Sequence, residues 1–219
     1  MAFHLIDMEK WERREHYHYY RNFIKTRYNL NGDIDITELL SQTKEKRLRF
    51  YPVFIFIIMK AVNETKEFRM SLDKDGNLGY WDICHPSYTI FHKDDHTFSD
   101  IWTEYSNDFS LFYRNVIQDM ENYKDVKGIK TKPHTPPNFC PFPVFHGLVL
   151  LDMEVILMRN PICSIPLSFL ENTEKKRGGF SCPLLSLSIT PLPTDTIPVP
   201  FSRKYRKQHL PLFYSNICP

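Results

Sequence analysis

The sequence has few glycines and no segment long enough to cross a membrane. It contains only seven glycines against sixteen prolines, which excludes a collagen-like chain with glycine at every third position. The longest apolar run, Phe50–Met59, is too short to span a bilayer and ends at Lys60. Met1–Lys10 carries charges and has no apolar core, so we expect neither a secretory signal nor a membrane partner.

Neither sign of charge dominates the chain. It has 28 basic and 26 acidic residues, a formal net charge of +2, so nothing in the balance indicates a nucleic-acid partner. Hydrophobic residues make up 42% and charged residues 25% of the chain, which is ordinary for a globular protein and excludes wholesale disorder. The 219 residues suffice for one domain with a hydrophobic core or for two small domains.

Cysteines are few and lack the spacing of a disulfide framework. There are five of them, an odd number, so we expect free thiols and a cytoplasmic protein. A zinc site would have to use Cys140 with His146, or Cys163 with Cys182, and neither combination has paired-ligand spacing. We therefore expect no metal.

The composition changes near residue 140. Five of the sixteen prolines lie in residues 1–139 and eleven in residues 140–219, whereas 24 of the 32 aromatic residues lie in the first part. Four of the five cysteines are in the second part. The sequence therefore divides into an N-terminal part, 1–139, and a C-terminal part, 140–219.

The N-terminal part has the patterns of a mixed α and β domain. We predict helices over Trp11–Phe23, from Thr37 to Lys46, over Val53–Val62, and from Ser106 or Asn107 through Tyr123. Strands are predicted over Leu30–Ile36, Phe68–Leu72, Leu78–Trp81 and Tyr88–His92. Asp35 and Glu38 have the spacing of a capping box, and the Val53–Val62 helix is apolar on nearly all sides. Because prolines punctuate the short apolar runs beyond Phe139, we expect the C-terminal part to be irregular.

Ordered sequence matches in the N-terminal part resemble the chloramphenicol acetyltransferases. They are Trp-Glu-Arg-Arg-Glu-His at 11–16, Ile-Asp-Ile-Thr at 34–37, Phe-Tyr-Pro at 50–52, Glu-Phe-Arg-Met at 67–70, Asp-Gly-Asn-Leu-Gly-Tyr-Trp-Asp at 75–82, Pro-Ser-Tyr-Thr-Ile-Phe-His at 86–92, Thr-Phe-Ser at 97–99 and Pro-Pro-Asn at 136–138. They are spread in order over more than half of the chain, from residue 11 to residue 138, and an unrelated binding module would require all of them to be chance.

The resemblance implies a fold, a reaction and an assembly. The fold is the two-layer α/β sandwich of the coenzyme A-dependent acyltransferases. The reaction moves an acetyl group from acetyl-coenzyme A, the co-substrate, to the primary hydroxyl of chloramphenicol and confers antibiotic resistance. The family forms homotrimers with each active site between two subunits. A neutral histidine from a His-His-x-x-x-Asp-Gly motif is the general base, and a Ser or Thr hydroxyl near a Pro-Trp pair stabilises the oxyanion.

Six residues of this chain match functional positions of the family that it resembles. Arg13 matches the arginine that pairs with the aspartate of the catalytic motif, a structural role. The positions matching the chloramphenicol pocket are Tyr19, Tyr20, Thr26, Tyr28 and Phe98. Aromatic faces suit a nitrophenyl ring. The alternative, which the residues alone leave open, is that these aromatics belong to the core or to a trimer contact.

The catalytic motif itself is absent. No His-His-x-x-x-Asp-Gly and no Pro-Trp pair occur in the chain. If codons are regrouped by one base, however, residues 188–198 permit His-His-Ala-Val-Ala-Asp-Gly-Tyr-His-Thr, and the histidines fall at Ser188 and Ile189. The same regrouping of residues 142–153 permits Ser-Cys-Ile-Pro-Trp-Thr-Gly-Phe-Thr-Gly-Tyr.

One reading-frame slip between about Asn138 and Phe142 would explain both absences and the proline excess. Two hypotheses follow from it. In the first, the gene read in frame encodes a chloramphenicol acetyltransferase. In the second, the chain as written is catalytically dead and at most binds ligand or another subunit, because residues 140–219 are a non-native tail.

Overall fold

The computed structural model describes residues 1–24, 28–142, 163–164, 174–176 and 179–189, with side chains at 1–24 and 36–142. The helices are α1 (Arg14–His18), α2 (Thr37–Glu45), α3 (Phe50–Glu64) and α4 (Phe109–Tyr123), with a π-helical turn at Tyr19–Ile24 and a 3₁₀ turn at Lys66–Arg69. The strands are β1 (Phe3–Leu5), β2 (Tyr28–Asp35), β3 (Met70–Leu72), β4 (Leu78–Trp81), β5 (His85–His92), β6 (Thr97–Trp102), β7 (Phe139–Phe142), β8 (Cys163–Ser164), β9 (Glu174–Lys176) and β10 (Gly179–Ile189).

The described strands form three small sheets. In the first, β4 lies between β1 and β3 and is antiparallel to both. In the second, β5 lies between β6, which is antiparallel to it, and β7, which is parallel. In the third, β10 lies between β2 and β8 and also pairs with β9, all antiparallel. The mixed α/β class predicted from the sequence is confirmed.

The central helix α3 is buried on nearly every side. Nine of its residues are buried, and Met59 and Val62 have no exposed surface. This confirms the interpretation of Val53–Val62 as a core helix, because a helix that is apolar all round must be covered all round. With 15 residues each, α3 and α4 are the longest helices described, and no helix in that part of the chain is long and apolar enough to cross a membrane.

Helix α4 covers the second sheet through one apolar stripe. Phe109, Phe112 and Val116 are buried, as their spacing predicted. The predicted caps were wrong: Asp108 is the N-cap, and its carboxylate accepts a hydrogen bond from the Leu111 N–H at 3.0 Å. The Ser106 hydroxyl accepts from the Asp108 N–H instead.

Helix α2 begins at Thr37, where the sequence predicted it. Ile36 is its N-cap and makes no side-chain cap, and the Asp35 side chain of the predicted capping box lies outside the described side chains. Glu38 accepts a hydrogen bond from the Gln42 side chain, one turn along the helix, so its carboxylate is used on the helix surface. The predicted β3–β4 hairpin is confirmed: Asp73 accepts backbone hydrogen bonds in the turn, and Gly76 adopts φ +84°.

Strands β1 and β6 through β10 were not predicted. The sequence indicated irregular structure beyond Phe139, yet residues 179–189 form an 11-residue strand with Pro183 inside it. Pairing with β2 is interrupted by an irregularity between Leu184 and Leu187, as expected for a strand in which proline withholds a donor from the ladder. Most of the remaining C-terminal part lies outside the described residues.

The connection from α4 to β7 is held by lysines. The Lys132 ammonium lies 2.7 Å from an Asp119 carboxylate oxygen and 4.6 Å from the centre of the Trp102 ring. The same oxygen accepts a hydrogen bond from the Thr103 hydroxyl at 2.6 Å. Lys127 pairs with Asp94 and Asp95 in the β5–β6 turn. The connection is therefore tied to both β5–β6 and α4.

Replacing Lys132 by methionine is expected to lower the free energy of unfolding by about 1–3 kcal/mol, because Asp119 keeps its burial and loses its charged partner. Urea denaturation would measure the loss. Lys124→Met is the matched control, since Lys124 pairs with Glu121 on the exposed surface of α4, where ion pairs contribute little. Equal losses in the two variants would contradict the role given to Lys132.

Candidate active site

The aromatic segment near the N terminus is anchored by one tyrosine. Tyr17 in α1 is 6% exposed, packs with Met70 and Leu78 from the first sheet, and has its ring 5.7 Å from that of Trp11. Burial raises the pKa of Tyr17, and the neighbouring Arg21 partly offsets this effect. Tyr17 was not predicted as an anchor, because nothing in the run of tyrosines shows which one faces inward.

Next to this anchor, the π-helical turn presents aromatic rings to solvent. Tyr19 is 51% exposed and Phe23 is 77% exposed, and their rings stack at 6.2 Å between centroids. Tyr20 is half-buried and meets the Tyr19 ring edge-on at 5.3 Å. Tyr19 and Tyr20, both predicted as pocket residues, therefore lie together on a surface suited to a flat aromatic ligand.

Phe98 lies in the second sheet, whereas Tyr28 lies in the third and Tyr19 and Tyr20 lie in the π-helical turn. It is 50% exposed in β6 and stands opposite Phe91 of β5. The turn before it is fixed by Lys127, which with the Thr97 hydroxyl holds the pKa of Asp95 far below its usual range. The ring of Phe98 thus projects from a fixed hairpin.

The predicted position of the missing histidines falls next to the predicted pocket strand. Ser188 pairs with Asn29 and Ile189 pairs with Tyr28 across the β10–β2 ladder. The backbone thus brings together Tyr28, predicted from the resemblance, and the two positions predicted from codon regrouping. Thr26 lies outside the described residues.

Arg13 caps α1 with its backbone, and its side chain is half-buried. Within residues 1–24 and 36–142, no carboxylate forms an ion pair with it. The same described part contains no group of three or more His, Cys, Asp or Glu side chains that could hold a metal ion. What the described side chains offer at the predicted pocket positions is aromatic surface.

Known proteins match the chain in sequence. The family model for chloramphenicol acetyltransferase matches residues 1–149. Chloramphenicol acetyltransferases from Clostridium perfringens and Bacillus pumilus are 47% identical over 138 residues and 43% identical over 130 residues. These alignments cover 63% and 59% of this chain, and 63% and 59% of the relatives, so the chain spans less than two thirds of their length. One from Staphylococcus aureus is 34% identical over 179 residues, or 80% of this chain and 83% of the relative.

Solved structures share the fold. A chloramphenicol acetyltransferase structure superposes with a TM-score of 0.72 at 19% identity, covering 99% of this chain and 98% of the other. A truncated catalytic core of the 2-oxoacid dehydrogenase multienzyme complex from Thermoplasma acidophilum superposes with a TM-score of 0.52 at 9% identity, covering 82% and 86%. The fold predicted from the resemblance, that of the acyltransferases, is confirmed.

Proposed function

Because the chain belongs to the chloramphenicol acetyltransferase family, we propose that its fold serves acetyl transfer from acetyl-coenzyme A to the primary hydroxyl of chloramphenicol. The match of the family model to residues 1–149 carries this proposal, since that range includes Tyr19, Tyr20, Thr26, Tyr28 and Phe98. The exposed ring of Tyr19 supports it, because a pocket residue must be open to contact with its ligand.

The reaction requires a base and an oxyanion donor. A neutral imidazole removes the proton of the chloramphenicol hydroxyl while that oxygen attacks the thioester carbonyl carbon. A hydroxyl donor stabilises the negative charge that develops on the carbonyl oxygen. The carbon–sulfur bond then breaks, and coenzyme A leaves with the proton that the imidazole held. The products are the acetyl ester and free coenzyme A.

The chain as written lacks this base, and we propose that residues from about 140 onward are an out-of-frame reading of the same gene. The pairing of Ser188 and Ile189 with Asn29 and Tyr28 supports the proposal, since the regrouped histidines then fall beside the strand that carries Tyr28. The second candidate, a dead chain that still binds ligand, is favoured by the absence of His-His-x-x-x-Asp-Gly.

We propose a homotrimer with each site between two subunits from the family resemblance, and a cytoplasmic location from the free thiols. In such a trimer the exposed Phe23 would gain a further apolar contact. A reducing cytoplasm suits the free thiols of Cys84 and Cys140, which are buried. Burial raises the pKa of Cys84 to about 12, so this thiol is inert rather than catalytic.

Chloramphenicol binding tests the proposal on the chain as it exists. Phe98→Ala is expected to raise the dissociation constant for chloramphenicol about three- to tenfold, because one aromatic contact is lost. Titration calorimetry with the full chain measures the constant, and coenzyme A is left out so that binding is separated from turnover.

Leu5→Ala is the matched control for this titration. Leu5 is 60% exposed in β1, outside the pocket positions, so its truncation should leave the constant unchanged. If the full chain does not bind chloramphenicol, or if Leu5→Ala weakens binding as much as Phe98→Ala, the pocket assignment is wrong.

A further inference from the structure

Two buried histidines mark the ends of the central strand of the second sheet. His85 begins β5 and is 1% exposed, and His92 ends it and is 4% exposed. Neither belongs to the aromatic surface proposed to bind chloramphenicol. A buried imidazole must satisfy its ring nitrogens with specific partners, and these partners differ at the two ends of the strand.

At the start of β5, His85 acts as an acceptor. Its Nδ1 accepts the backbone N–H of Tyr105 at 2.9 Å, and its Nε2 lies 3.0 Å from the Met1 sulfur. An N–H donor on Nδ1 requires a lone pair there, so the ring is neutral with its proton on Nε2, which donates to the sulfur. Protonation would place an N–H against the N–H of Tyr105 and break this hydrogen bond.

At the end of β5, His92 acts as a donor. Its Nε2 lies 2.8 Å from the Ser99 hydroxyl, and that hydroxyl donates to the Val126 carbonyl at 3.0 Å. Because the hydroxyl has only one proton, Nε2 must supply the other. The Nε2–H is present in both the neutral and the charged ring, so protonation leaves this contact in place.

The two histidines therefore hold the two ends of the same helix. Tyr105 lies four residues before α4 begins, and Val126 lies three residues after α4 ends. We propose that β5 and α4 form an acid-sensitive joint: protonation of His85 releases the N-terminal end of α4, while the contact through His92 keeps the C-terminal end attached. This inference does not depend on the proposed enzymatic function.

The surroundings of His85 set the pH range of the release. Burial lowers the pKa of His85 from its ordinary 6.5, and the Glu104 carboxylate, which is the charged group acting on the ring, offsets this only partly. Trp102 of β6, Asn138 beside β7 and the sulfur of Met1 contribute no charge, and burial keeps the Tyr105 phenol and the Cys84 thiol neutral.

In the closed state of the joint, Nδ1 of His85 accepts the Tyr105 N–H; in the open state this hydrogen bond is broken. Because the pKa of His85 is lowered in the closed state, the stability that His85 contributes is complete above the pKa of the open state. This stability is lost as the pH falls below about 6.5, since His85 then binds a proton in the open state but not in the closed state.

Hydrogen exchange measured by mass spectrometry on the full chain at pH 7.5 and pH 5.5 tests the joint. Protection factors, which remove the intrinsic pH dependence of exchange, are compared for the segments containing Tyr105 and Val126. We expect protection of the Tyr105 segment to fall severalfold, up to the limit of about tenfold that one proton linked over one pH unit below 6.5 allows. Protection of the Val126 segment should change less than about twofold.

Two variants separate His85 from His92. In His85→Asn the amide oxygen can replace Nδ1 as acceptor but does not titrate. The fall in protection of the Tyr105 segment between pH 7.5 and pH 5.5 should therefore disappear. In His92→Gln the amide nitrogen can replace Nε2 as donor, so the fall in protection of the Tyr105 segment should persist. Equal changes in both segments of the unsubstituted chain, no change in either, or a fall that survives in His85→Asn would overturn the proposal. Even if a variant does not fold, the Tyr105 and Val126 segments of the unsubstituted chain can be compared at the two pH values, and this comparison alone tests the proposal.

Discussion

Shifting the reading by one base near codon 140 is expected to create chloramphenicol acetyltransferase activity where the chain as written has almost none. The shift would supply the His-His-x-x-x-Asp-Gly motif and the Pro-Trp segment together. A general base contributes about a hundredfold to ten-thousandfold to the rate, and an oxyanion donor contributes about a hundredfold to a thousandfold. Release of the coenzyme A thiol, followed with and without chloramphenicol, measures the gain, and growth of a sensitive host on the antibiotic checks it independently.

The control for this experiment is the shifted chain with both histidines of its His-His pair replaced by glutamine. It keeps the restored C-terminal part and loses only the base, so its rate should fall by about a hundredfold or more. Stop codons soon after codon 140 in the shifted reading would refute the frame proposal. So would turnover at the family's rate by the chain as written.

Phe112→Ala is expected to cost about 3–5 kcal/mol of the free energy of unfolding, the usual cost of deleting a fully buried phenylalanine. Phe112 has no exposed surface, and its ring centre lies 5.6 Å from those of Phe56 and Tyr105. It therefore joins α4 to α3 and to the segment before α4. Because a typical domain is stable by only about 5–15 kcal/mol, the loss would shift the urea midpoint strongly.

Leu111→Ala is the control on the neighbouring position of the same helix. Leu111 is 40% exposed, so its truncation should change the free energy of unfolding by no more than about 0.5 kcal/mol. Similar losses at positions 111 and 112 would mean that α4 does not pack on α3 through the described face.

Local patterns predicted those elements whose burial is decided by their own residues. The apolar sequence of α3 requires a covered helix wherever it lies, and the stripe at Phe109, Phe112 and Val116 fixes the face that α4 buries. Such patterns could not identify the N-cap of α4, because Ser106, Asn107 and Asp108 can all cap a helix. Only the geometry of the chain entering α4 selects Asp108.

Strand β10 shows where local patterns fail. Pro183 argues against a central strand by every local criterion, yet β10 lies between β2 and β8. Its partners are distant in sequence, and no window around residue 183 contains them. The candidate site has the same limitation: the resemblance selected Tyr19 and Phe98, which are indeed exposed, but the anchoring role of Tyr17 depends on Met70 and Leu78 of the first sheet.

The pairing of β2 with β10 has a consequence for synthesis on the ribosome. About 150 residues separate the paired positions, so at about 5–20 residues per second β2 waits roughly 8–30 seconds for its partner to be made. An unpaired strand that waits this long is open to association with other nascent chains. The sequence Tyr-Asn-Leu-Asn-Gly-Asp-Ile-Asp of β2 is suited to the delay, because its two aspartates and its glycine oppose such association.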